Sequence, residues 1–158
     1  MKHGVYPVKL LRLFRYGAAR CEQRHMDEHM ELSRGRAVEF EHDFVDENLN
    51  GLGWWAHKHV DYSARELADL EDILSSAAAD SGINGQAERK RAMKERYARQ
   101  PLFWRSFAYF CYRYFLKLGF LDGREGFLWH FMQGWWYRTL VDARQFEKQK
   151  KGSGKTAR

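Results

Sequence analysis

The stretch "RHMDEHMEL", Arg24 to Leu32, gathers His25, Asp27, Glu28 and His29 into five consecutive positions. Imidazole and carboxylate are both zinc ligands, but the spacing is not H-E-x-x-H and no third ligand set accompanies it, so no metal site is read here. General-base chemistry suits the cluster better. Deprotonating an acceptor hydroxyl needs a positioned carboxylate whose pKa its neighbours can tune, and Asp27 or Glu28 would serve. Arg12, Arg15, Arg20 and Arg24 lie just upstream and fit phosphate oxygens. A salt-bridged surface turn accounts for the same residues equally well. The chain holds no G-x-x-x-x-G-K-[ST], no G-x-G-x-x-G, no G-x-S-x-G and no Asp-x-Asp, so it does not encode a nucleotide-binding fold of its own.

The elements that would position this cluster read as an α+β chain, mostly α. "VKLLRLFRYG", then "ARCEQR", then "RGRAVEFEHDFV" have strand character, with Ser33-Arg34-Gly35-Arg36 as a hairpin connection. They predict short antiparallel strands forming a sheet edge. From Asn48 the period becomes helical, and Leu49, Leu52, Ala56, Val60, Ser63, Leu67, Leu70 and Leu74 define one stripe. Ser63-Ala-Arg-Glu66 fits a capping box, but the stripe passes through it without a phase break, which favours one long helix. "SSAAADSGINGQ" reads as a loop, and the basic helix "ERKRAMKERYARQ" stops at Pro101.

Two aromatic helices follow. Arg105, Tyr109, Arg113 and Lys117 recur every four residues as a polar-basic stripe, with Trp104, Phe107, Cys111, Tyr114, Phe115 and Leu118 around it. Beyond Asp122-Gly123, Leu128, Phe131, Met132, Trp135, Trp136, Thr139, Leu140 and Phe146 form a broad apolar side. Cations that snorkel to headgroups beside interfacial Trp and Tyr predict a hairpin lying on a membrane, with Arg105, Arg113, Lys117, Trp104, Trp135 and Trp136 at the surface. A buried hairpin in a soluble domain is the competing reading.

Charge separates along the chain. Residues 1–85 carry ten basic and fifteen acidic side chains, and residues 86–158 seventeen and six, giving −5 and +11 within a net +6. The basic half is also the aromatic half, and the mean hydropathy is −0.70, so large rings and charges prevail over aliphatic filler. An anionic membrane suits that half. Nucleic acid is set aside, because the rings follow helical stripes and are not interleaved as stacking platforms. No signal peptide is read in "MKHGVYPVKL", and no run of about 18 apolar residues marks a membrane span. Cys21 and Cys111 form no C-x-x-C pair, which favours a reducing cytosol.

Three stretches, "YPVKLLRLFRYGAARCEQRHMDEH", "VEFEHDFVDENLNGLGWWAHKHVDYSARELADL" and "LKLGFLDGREGFLWHFMQGWWYRTLVDARQFE", resemble the C-terminal part of bacterial family 2 glycosyltransferases of the lipopolysaccharide-core and surface-polysaccharide type. "GFLDGREGF" is the most specific feature. The resemblance covers about residues 5–147 and implies a GT-A catalytic domain. Its Rossmann-like half, with Asp-x-Asp, Mg²⁺ or Mn²⁺ and the nucleotide sugar, would precede residue 1, and no cofactor is expected on these residues. With the patterns read above, the chain divides into strands and, as the resemblance implies, an acceptor-side loop at 1–47, a long helix at 48–80, a linker and basic helix at 81–100, a membrane-surface hairpin at 101–148 and a disordered basic tail at 149–158. The resemblance also implies Glu28 or Asp27 as the base, His29 alongside, Arg12, Arg15, Arg24 and His42 lining the cleft, and a lipid-linked glycan as acceptor. The absence of Gln-x-x-Arg-Trp near "LGWW" implies transfer of single sugars. The location it implies is cytoplasmic, peripheral on the inner face of the bacterial plasma membrane.

Overall fold

Helical periodicity turns into one long rod where the sequence keeps it unbroken. A computed structural model describes residues 2–5, 8–21, 30–45, 47–76 and 86–153. Within them the chain is α+β and mostly α: strands β1 (Ala19–Cys21) and β2 (Met30–Leu32), then helices α1 (Leu52–Ser76), α2 (Gln86–Ala98), α3 (Trp104–Cys111), α4 (Gly123–Trp129) and α5 (Tyr137–Ser153). Capping at Ser63 is not used. Its hydroxyl donates to the Val60 carbonyl at 2.6 Å and accepts from Arg144 Nε at 2.6 Å, the back-bonding habit of a mid-helix serine.

The lower half of the α1 stripe makes the core. Leu67 and Leu70 pack with Ala98 of α2 and with Tyr137 and Val141 of α5, flanked by Tyr62, Leu74 and Trp136. The upper half, Leu49, Leu52 and Val60, stays exposed. Helix α2 ends ahead of Pro101, since a residue preceding proline is pushed out of the α region. Its last turn is tied off by Arg99 N–H to the Glu95 carbonyl and Gln100 N–H to the Tyr97 carbonyl.

From Trp104 to Ser153 the chain forms a helical hairpin whose two arms both widen. Helix α3 passes into a π-turn, Tyr112–Leu116; a 3₁₀ turn, Gly119–Asp122, reverses direction; α4 passes through a second π-turn, His130–Trp136, into α5. Two non-glycine residues take left-handed dihedrals, Phe103 (φ 64°) and Leu118 (φ 60°), at a cost on the order of 1–2 kcal/mol each. Phe103 is held there by its own N–H, which donates to Asp142 Oδ2 at 2.8 Å.

Of the expected strands, β1 lies within the stretch 19–24, while those at residues 8–17 and 34–45 do not form among the described residues. Pairing is limited to three residues a side, antiparallel, with Ala19 opposite Leu32 and Cys21 opposite Met30. Alternation marks a face that a sheet would bury, but without a neighbouring strand it supplies no ladder. The Ser33–Arg36 turn closes β2 against Ala18, whose carbonyl accepts from Ser33 N–H at 2.8 Å, and does not join two long strands. Helix α5 runs on to Ser153, past the boundary at 148 where a disordered tail was expected.

Candidate membrane-facing surface

The acidic cluster comes first in the chain, but Asp27, Glu28, Arg24 and His29 lie outside the described residues. Arg12, Arg15 and His42 are exposed. The Arg12 guanidinium sits 5.7 Å from the centroid of the Phe44 ring, and Lys9 Nζ bonds Glu39 Oε1 at 2.6 Å. Residues 9–12 and 39–44 therefore run side by side, which brings Arg12 to the segment that carries His42. Arg15 lies farther along, at the turn where its carbonyl accepts from Ala18 N–H.

In the hairpin, the i, i+4 spacing did place Arg105, Tyr109 and Arg113 on one face, but that face turns inward. Arg105 is 3% exposed. Its Nε bonds Asp142 Oδ1 at 2.6 Å, one terminal nitrogen the Ala98 carbonyl at 2.8 Å, and the other Gln145 Oε1 at 2.7 Å. It is not a headgroup ligand. Periodicity assigns residues to a face without saying which face meets water, and here a buried carboxylate on α5 decides it. Arg113 is half-buried, donating to the Gly4 carbonyl at 2.9 Å and to the Tyr109 hydroxyl at 3.0 Å. Lys117 is exposed beside the Tyr112 ring. Arg138 from α5 joins the same interior, 4.2 Å from the Tyr109 ring centroid and 5.2 Å from that of Tyr97, and burial pushes the Tyr97 phenol above its ordinary value.

Among the described residues, the opposite side of the hairpin is apolar and exposed. Trp104 is 63%, Phe115 54% and Leu116 75% exposed. Tyr112, Leu118, Phe120, Leu121, Phe127 and Leu128 are exposed too. Trp104, Phe107, Cys111, Tyr112, Phe115 and Leu116 border a shallow groove of about 410 Å³. Ring contacts make the face continuous, from Trp104 to Phe107 (5.8 Å), Phe107 to Trp135 (5.1 Å) and Trp135 to Phe110 (5.4 Å), then to Tyr114 (5.3 Å) and Phe127 (5.8 Å). Trp135 is thus the floor of the face. Trp136 turns toward α1, 6.1 Å from Trp55, and packs on the core. Of the six expected surface residues, Trp104 and Lys117 are exposed. Lys117 and Arg124 border the hairpin turn as exposed cations.

Asp142, Arg138, His130 and Asp122 carry the interior contacts of the hairpin, and sequence reasoning assigned none of them a role. The one available signal was the clustering of Asp122 and His130 with three glycines in a short motif. Among the described residues no helix is long and apolar enough to cross a membrane, and no group of three His, Cys, Asp or Glu side chains is placed to hold a metal ion. No family model, curated protein or solved structure matches this chain.

Proposed function

We propose that the chain is the acceptor-side, C-terminal portion of a family 2 glycosyltransferase. It docks on an anionic membrane so that a sugar can pass from a nucleotide-sugar donor to a lipid-linked or polysaccharide acceptor at the inner face of the bacterial plasma membrane. The observation that carries the docking is the uncovered aromatic face of α3 and its π-turn, set in the half of the chain whose net charge is +11. A large apolar side chain leaving water contributes roughly 1.5–3 kcal/mol. Three or four such side chains at the headgroup boundary, with basic residues drawing the chain to anionic lipid, suffice for reversible attachment. The catalytic part of the reading rests on the resemblance of the quoted stretches. In it, Glu28 or Asp27 removes the proton from the attacking hydroxyl and the nearby arginines face phosphate. Mg²⁺ or Mn²⁺ and the donor belong to the half that these residues do not contain, and no step runs through a metal held here.

Flotation on vesicles tests the docking. The chain should float with phosphatidylglycerol-containing vesicles more than with phosphatidylcholine alone, and Phe115→Asp with Leu116→Glu should abolish flotation while leaving the helical circular dichroism intact. Flotation unchanged by that pair would remove the face from consideration. Supplying the donor-binding half together with nucleotide sugar and Mg²⁺ or Mn²⁺ should give transfer that collapses in Glu28→Gln or Asp27→Asn. Flotation without transfer would favour a second reading, a non-catalytic peripheral membrane module, because the docking face is built entirely from residues of the hairpin.

A further inference from the structure

The hairpin turn grips a distant part of the chain. Asp122 Oδ2 accepts the backbone N–H groups of Lys2 and His3 at 3.0 Å each, and its Oδ1 lies 2.7 Å from His3 Nδ1. Arg113 Nε donates to the Gly4 carbonyl, and His130 Nε2 faces the His3 carbonyl at 3.3 Å. His130 is 1% exposed. Its ring fits because two glycines flank it: a Cβ on Gly119 would lie 2.4 Å from Nε2, and one on Gly4, whose φ is +76°, 2.8 Å from Cε1. The "GFLDGREGF" turn and the histidine seven residues after Gly123 are therefore one device.

We propose that Asp122, Arg113 and His130 form an acid-sensitive latch, which holds the chain at His3–Gly4 while the His130 ring is neutral and releases it when that ring takes a second proton. The neutral ring carries its hydrogen on Nε2, toward the His3 carbonyl, and leaves Nδ1 as a bare lone pair. Nδ1 is buried with no hydrogen-bond partner among the described residues. A proton from water on Nδ1 creates a buried N–H without an acceptor, and a cation beside the Arg113 guanidinium. Both effects oppose the closed state. Among the described residues, the charged and titratable groups that face the ring are Arg113 and Tyr114 on the first π-turn, with the Tyr114 ring centroid 6.1 Å away edge-on, Asp122 on the 3₁₀ turn and His3 on the gripped segment. Burial holds His130 below the ordinary histidine value and Arg113 lowers it further, while the bond to the His3 carbonyl and, after it, Asp122 offset part of this. His3 Nδ1 meets Asp122 Oδ1 at 2.7 Å, so His3→Gln separates that contact from the proton on the His130 ring. The gripped chain leads into residues 8–45, so opening the latch uncouples that segment from the membrane-facing hairpin. The device stands whether or not the chain transfers sugar.

NMR titration of the full chain from about pH 7.5 to about pH 5 tests it, across the range in which histidine changes charge. The His130 ring should titrate below about 6.5, the value for an unperturbed imidazole. The His3 and Gly4 amide signals should move to free-chain positions with the same midpoint as the ring. In Asp122→Asn they should occupy those positions already at neutral pH, in His130→Gln they should hold still across the range, and in His3→Gln the acid step should persist. Amides that stay in place while the ring titrates would overturn the latch. A ring midpoint at or above the ordinary value would do the same, as would an acid step lost in His3→Gln but kept in His130→Gln. Should His130→Gln not fold, the coincidence of midpoints in the unmodified chain and the His3→Gln result still decide.

Discussion

At the scale of single residues, the chemistry hidden inside the hairpin is a paired charge. Arg105 and Asp142 are each about 1% exposed at the side chain, and Asp142 also receives the N–H of the strained Phe103. Replacing a buried ion pair by apolar groups is often neutral, whereas deleting one partner strands the other charge, at about 3–5 kcal/mol. Asp142→Ala should therefore lower the unfolding free energy read from urea melts by that amount, with a lower midpoint, and Arg105→Met with Asp142→Leu should recover most of it. An unchanged midpoint in Asp142→Ala would show that the pair bears no strain. Sequence reasoning saw Arg105 as a surface cation because its partner lies 37 positions away. Spacing within one helix carries no information about a carboxylate on another. Aiming Glu at position 105, as an electrostatic test of membrane binding, would unfold the hairpin and test nothing else.

At the scale of elements, the hairpin splits its tryptophans between two tasks that their sequence environments do not separate. Trp104 stands in solvent, while Trp135 lies beneath Phe107, Phe110 and Phe131. Trp135→Ala should cost about 3–5 kcal/mol through a cavity and lost ring contacts. Trp104→Ala, on an exposed face, should stay within about 0.5 kcal/mol in solution while weakening vesicle binding. Equal thermal shifts for the two variants would contradict this division. The α1 stripe was legible from residue 63 onward because one periodic face met a partner there. Upstream, Leu49 and Leu52 keep the same period and stay exposed, so periodicity predicted the helix correctly and its burial only in part. The strands at 8–17 and 34–45 failed for a related reason: a period of two identifies a pleat but leaves open where the next strand is.

Across the whole molecule, the interior is unusually polar for its size. Among the described residues Ser63, Glu66, Asp69, Arg105, Ser106, His130 and Asp142 are buried, while Val8, Leu13, Phe40, Val45, Leu116 and Leu121 lie at the surface. Such a chain depends on its protonation state. Burial holds both His59 and His130 below the ordinary histidine value of 6.5, so the unfolded chain binds more protons than the folded one once pH drops below that value. Stability from these two rings is complete above about pH 6.5 and is lost as pH falls through their folded values. Asp122, lowered first by its bond from His3, behaves alike below its ordinary value of 3.8. Thermal melts at about pH 7.5 and pH 5 should show the lower melting temperature in acid, and a higher one there would reverse the sign of the argument. The mostly helical α+β class was legible because long periodic segments announce themselves. The acceptor-side assignment rests on the quoted stretches, whose proposed carboxylates fall outside the described residues.

The two widened turns also set how the arms of the hairpin are aimed. Each stretch that winds by i, i+5 takes up an extra residue and so shifts the angular phase of everything after it by about 100°. That offset lets Gly126 and His130 face the reversal while Tyr137, Val141 and Asp142 face α1 and Arg105 along one continuous rod. Tyr112–Leu116 and His130–Trp136 are thus rotary joints. Trimming a single position from either would swing the downstream helix to a different compass bearing with its internal bonding intact.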